Sequence, residues 1–147
     1  MNNSQRLPNV VDMEKAVLAA MILKDGEVIP AVSAILSEDD FYREEHRVMY
    51  RTILKVAAKN IPPNILSLMQ ELVETDMMEK IGSDYVLSLA DAGYTTAYAE
   101  IYAKKIKEKS ILRTLIKIGE QIAQDRFFSD LFCVDFSISC CVAGICK

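Results

Sequence analysis

The chain has 147 residues, 51% of them apolar and 26% charged, with a formal net charge of -4 at pH 7. That length suits one domain able to bury its own core, and the balance of residue types excludes a disordered chain. The mild acidity argues against a surface built throughout to grip nucleic acid, because phosphate contacts need clustered Lys and Arg.

No basic start, apolar run and small-residue cleavage site follow one another at the N-terminus, so the expected location is cytoplasmic. Residues 1–12 read as a flexible arm in which Pro8 keeps Leu7 extended. Asp12 is the expected cap of a first helix over 13–24, with Val17, Leu18, Met21 and Ile22 along one side and Gly26 closing it. A second helix is expected over 28–36, with Pro30 tolerable only in its first turn. Ser37-Glu38-Asp39-Asp40 then resembles a capping start, with acids where a helix N-terminus favours them.

A third helix runs to about residue 59, with Val48, Ile53, Leu54 and Ala57 inward, and the prolines of Asn60-Ile61-Pro62-Pro63 must break it. Asn64 caps a fourth helix over 65–75, striped by Ile65, Leu68, Met69 and Leu72. Ile81-Gly82-Ser83 reads as a turn before a short fifth helix over 84–92 carrying Tyr85, Leu87 and Leu89, which Gly93 ends. The longest pattern follows. Residues 96–126 contain no proline and only Gly119, and Thr95 or Thr96 is placed to cap them. Their apolar side chains at Tyr98, Ile101, Tyr102, Ile106, Leu112, Leu115, Ile116, Ile122 and Ala123 recur at helical spacing. Such a helix would be about 42 Å long. Every period is near 3.6, so the expected fold is all-α: a small orthogonal bundle of about five short helices at 13–95, then the long helix.

Residues 127–147 obey a different rule. Phe132, Val134, Phe136, Ile138, Cys140 and Val142 alternate with smaller or polar residues, a strand period in an all-α chain. The segment is too short to span a membrane and carries Asp135, and Cys133, Cys140, Cys141 and Cys146 match no C-x2-C zinc pattern. It is expected to be an atypical, frame-shifted or read-through end that was not selected to fold.

The chemistry-bearing residues are sparse. The five glycines are isolated and no GxxxxGK[ST] occurs, which removes P-loop ATP hydrolysis, and no cofactor, metal or catalytic residue is expected. The one histidine, His46, stands near Tyr42, Glu44 and Glu45, and is expected to be structural, its ring bonded to a backbone or hydroxyl partner. The basic group Lys104, Lys105, Lys107, Lys109, Arg113 and Lys117 is interrupted by Glu100, Glu108 and Glu120, and Glu100 to Lys104 is a helix-supporting pair. A solvated face is the plainer account, and a nucleic-acid-binding regulator using that side is the alternative. The second half of the apolar stripe, Leu112, Leu115, Ile116 and Ile122, has two readings as well, core packing or self-association with a partner helix.

Several residues recur in an order known from one family. They are Leu7-Pro8, Glu14 with Val17-Leu18, Asp40-Phe41-Tyr42 followed by His46, Pro63 before a capping residue, and Gly82 with Tyr85. Leu87, Leu89, Tyr102-Ala103 and Glu108-Lys109 ahead of Arg113 continue the pattern. Together, over residues 6–125, they resemble the N-terminal domain of the bacterial replicative DNA helicase, the DnaB family. Gly82-Ser83 stands where the family has two glycines, and Asn64 where it has aspartate; both keep turn or cap chemistry. The resemblance implies that the long helix is one arm of a helical hairpin through which such domains pair. It also implies a collar over a hexameric motor, a docking place for primase, and contact with DNA only through a motor domain absent from these residues. No membrane partner is implied.

Overall fold

In a computed structural model the described residues are 9–90 and 96–142, with side chains described as far as Gln124 apart from Lys24, Asp25 and Ala90. Most of the arm at 1–12, Gly93, Thr95 and the last five residues therefore lie outside the described residues. The helices are α1 (Val11–Ile22), α2 (Ile29–Ser33), α3 (Glu44–Ala58), α4 (Ile65–Glu74), α5 (Met78–Ile81), α6 (Ser83–Ala90) and α7 (Ala99–Val142). Short 3-10 turns lie at Leu23–Gly26, Glu38–Asp40 and Thr96–Tyr98. No strand occurs among the described residues, so the all-α expectation holds. The chain divides into two compact units, Met1–Ile111 and Leu112–Lys147.

The first unit is built around α1. Its run Ala16, Val17, Leu18, Ala19, Ala20 and Met21 is buried on every side, where a one-sided stripe was expected. A helix apolar all round is a central helix, and the contiguous Val-Leu-Ala-Ala-Met carries that meaning. Asp12 does not cap it. Residue Val10 occupies the cap without a side-chain bond, and Asp12 lies in the first turn, where free N–H groups favour an acid. Leu18, Met21, Phe41, Met49, Ile53 and Leu72 form the fully buried centre, contributed by α1, α3, α4 and the loop before α3.

Left-handed residues end the helices more than prolines do. Asn60 has φ 57° at the end of α3, and the Ile61 N–H bonds Val56 O at 3.3 Å, two residues before Pro63. Asp76 at φ 53° does the same for α4, with the Met77 N–H on Leu72 O at 3.0 Å. Both are six-to-one C-terminal closures. Gly26 at φ 81° has no substitute, since a Cβ there would lie 2.7 Å from Ile29 Cδ1 and 2.8 Å from Pro63 Cγ.

Asn64 caps α4 as expected: Ser67 N–H donates to its Oδ1 at 2.9 Å and Ser67 Oγ accepts from Asn64 N–H at 3.0 Å. The stretch expected as a turn at 81–83 holds an extra helical turn, α5. In α6 the inward residues are Val86 and Leu89, while Leu87 is exposed.

Two expectations for the long helix are corrected. Its seated face at the start is Ala99, Ala103, Ile106 and Ser110, spaced four, three and four, whereas Tyr98 and Ile101 are exposed. Small side chains let the helix backbone approach closely, so the deepest contacts belong to residues a hydropathy pattern passes over. The helix also continues past its expected end at 126, to Val142. Nothing between Gly119 and Gly144 breaks a helix, and extending an existing helix is far easier than nucleating one.

Candidate functional site

The loop that carries Phe41-Tyr42 and the head of α3 is held by two buried acids. Glu14, in α1, accepts the Tyr42 backbone N–H on Oε1 at 2.9 Å and meets His46 Nδ1 with Oε2 at 2.6 Å. Glu14 and His46 are both shut off from solvent, and bonding to both carboxylate oxygens offsets the loss of water. The partner of the buried His46 ring is a carboxylate 32 residues away in sequence, not the backbone or hydroxyl group expected. The His46 ring stacks on Tyr85 of α6 at 5.8 Å. Phe41 lies in the core against Tyr50 at 5.0 Å, and Tyr50 Oη donates to Leu36 O at 2.7 Å. Tyr42 contributes its backbone to this network, and its side chain is partly exposed.

Asp40 is the second acid. One oxygen, Oδ2, accepts from Ser37 N–H at 2.8 Å, Ser37 Oγ at 2.9 Å and Lys107 Nζ of α7 at 2.8 Å. Burial works against its charge, but bonds from Lys107, Ser110 and Ser37 outweigh that and hold its carboxyl below the ordinary value. Burial, with help from the Asp40 charge, raises the Tyr50 hydroxyl. Glu38 forms a two-pronged pair with Arg51, Nε to Oε2 at 2.7 Å and Nη2 to Oε1 at 2.8 Å, which lowers the Glu38 carboxyl. The acid run thus does more than settle a helix terminus: one acid pairs with α3 and another with α7.

These pairings also change the basic group. Lys107 is engaged by Asp40, Lys105 pairs with Glu108 at 3.4 Å, and Arg113 is buried at 6% exposure. The helix-supporting pair among these residues is therefore Lys105–Glu108, in place of the expected Glu100–Lys104.

In the second unit, Leu112, Leu115, Ile116 and Ile122 are all exposed, at 42%, 59%, 38% and 57%. Ile118, absent from the expected set, is exposed with them; its spacing of three from Leu115 and four to Ile122 is the signal that reveals it. At about 100° per residue these five span an arc of roughly 160°, with Gly119 inside it. Lys117, Glu120 and Gln121 fall on the other side. A band this wide is what a helix normally turns toward a core. Among the described residues no group of His, Cys, Asp and Glu could hold a metal ion. No helix among them is long and apolar enough to cross a membrane.

A family model described as "DnaB-like helicase N terminal domain" matches residues 6–108. The chain belongs to this family. Among relatives, it is 39% identical over 126 residues to the replicative DNA helicase DnaB of Geobacillus stearothermophilus, covering 84% of this chain and 28% of that protein. It is 36% identical to the replicative DNA helicase DnaC of Bacillus subtilis, again over 28% of that protein. The chain therefore spans little more than a quarter of these relatives. The crystal structure of the N-terminal domain of DnaB helicase from Mycobacterium tuberculosis superposes with a TM-score of 0.80 at 28% identity, covering 85% of this chain and 89% of that one. The N-terminal domain of DnaB helicase from Helicobacter pylori, described with its interactions with primase, has the same fold at a TM-score of 0.70 and 21% identity. Its match covers 86% of this chain and 99% of that one.

Proposed function

We propose that this chain is a non-catalytic oligomerisation and primase-docking domain of a replicative DNA helicase, acting in the cytoplasm during DNA replication. Family membership over the part of the helicase relatives that this chain matches supports the class of function. The observation that carries the mechanism is the exposed band Leu112, Leu115, Ile116, Ile118 and Ile122.

Full burial of one such side chain contributes about 1.5–3 kcal/mol. Two copies that half-bury their bands against each other gain on the order of 10 kcal/mol, within the range of about 4–15 kcal/mol that association costs. The band is thus enough for a concentration-dependent dimer and little more, which fits a domain that pairs within a larger assembly. The buried loop network serves another purpose. It holds the globule in one shape as a docking body.

Sedimentation velocity across a concentration series tests the first part, with the doubly substituted Leu115→Asp, Ile122→Asp chain as control. A wild type that remains monomeric at high micromolar concentration rejects self-association. Titration of fluorescently labelled chain with the primase of the same organism tests the second part, and an absence of saturable binding rejects docking. Binding to nucleic acid through the basic side of α7 is the weaker reading, since Lys107 and Arg113 do not present free charges at the surface.

A further inference from the structure

The start of α7 is seated by Ala99, Ala103 and Ile106, which join the core, by Tyr102 packed against it, and by the buried Ser110. Beside that contact stands one ion pair of unequal halves. Asp40 has a side chain only 6% exposed, its Oδ2 is already fastened by Ser37, and Ser110 of α7 bonds the same carboxylate. The neighbouring residues hold that end in place: Phe41 is in the core, Arg47 Nε donates to Phe41 O at 2.9 Å, and the Tyr42 N–H is bound by Glu14 of α1. Lys107 is the other half, with a side chain 41% exposed and therefore open to solvent, counter-ions and reagents.

We propose that the Asp40–Lys107 pair is a charge-operated clasp, which decides whether the first turns of α7 stay seated on the globule. The buried half belongs to the globule and the accessible half to the helix. Removing the lysine charge leaves a carboxylate buried without its cation, and lifting the helix is how that carboxylate regains water. Removing the aspartate charge weakens its bonds from Ser37 and Ser110 but strands no buried charge, since solvent already reaches Lys107. The two losses are therefore unequal, and the clasp is released from the Lys107 side. Its action needs no second copy of the chain and is separate from the self-association proposed above.

Hydrogen exchange on the full chain tests this, run in the Leu115→Asp, Ile122→Asp background so that association plays no part. Lys107→Met should speed exchange of the amides at 101–110 by about ten- to a hundredfold, the scale of one charged hydrogen bond. Amides of α1 and α3 should be unchanged. Lys107→Arg should exchange as the parent does, and adding Asp40→Asn to Lys107→Met should bring the rate back toward it. The proposal is overturned if Lys107→Met leaves 101–110 as protected as before. It is equally overturned if α1 and α3 lose protection in the same proportion, because the pair then only stabilises the whole unit.

Discussion

Two stretches of α7 put similar sequence to opposite uses. From Ala99 to Ser110 the buried residues are Ala99, Ala103 and Ser110, which are small, and the larger Ile106, with Lys107 reaching Asp40. From Leu112 to Ile122 the residues are large and apolar, and five of them stand in solvent. Hydropathy read along the chain ranks the second stretch as the better core helix. What separates them is the partner: the first has a complementary surface within its own unit, and the second has no such cover among the described residues. The self-association proposed above rests on this wide exposed apolar band.

The comparison breaks most visibly under alanine substitution. Ile106→Ala should cost about 2–5 kcal/mol of unfolding free energy in urea. Ile122→Ala, measured at concentrations where the chain is monomeric, should change it by less than about 0.5 kcal/mol. Equal losses at the two positions would mean that the band is packed within the chain.

A charge in the band acts on association in place of stability. Leu115→Asp with Ile122→Asp should weaken dimerisation by roughly a hundredfold or more, read by sedimentation, with helical circular dichroism unchanged. A loss of helix on the same scale would show that the band supports folding.

The polar half of the first stretch is tested by pH. Asp40 titrates below its ordinary value in the folded chain, so its contribution is fully present above the ordinary carboxylate range and is lost as pH falls through the folded value. Asp40→Asn should therefore cost about 0.5–1.5 kcal/mol near neutral pH, less than removal of the Lys107 cation. Its stability curve should converge on that of the wild type in acid. A gap that persists at low pH would mean that the side chain's shape matters and its charge does not.

Gly119 gives the smallest and sharpest test. It lies within the band and a Cβ there meets nothing within 4 Å. Gly119→Ala should add about 0.5–1 kcal/mol of helix stability. If two copies approach closely at this glycine, the same change should weaken dimerisation while stabilising the monomer. If dimerisation strengthens in step with the helix, the seam lies to one side of Gly119.

Much of the fold could be read directly. The cap at Asn64, the left-handed Gly26, the stripe Leu68 with Leu72 and the helical period of residues 96–126 are local features, each recorded within a few residues of sequence. The misses share a cause. Val86 faces inward and Leu87 outward because α6 rotates to fit its neighbours, and adjacent apolar residues leave that rotation undetermined. The helix end expected at 126 was missed for a related reason, since period two is a weak instruction where nothing breaks the helix that precedes it.

The candidate site divides along the same line. Sequence alone determined the identity of the family, the Phe41-Tyr42-x-x-x-His46 segment and the presence of an apolar stripe at Leu112, Leu115, Ile116 and Ile122. Only the tertiary structure decided that His46 meets Glu14, that Asp40 holds Lys107 across 67 residues, and that the stripe is exposed while the alanines before it are buried. Helical period and capping depend on a few neighbouring residues, so they are written locally. Which buried acid finds which base, and which face of a helix finds cover, depend on segments brought together only when the chain closes on itself.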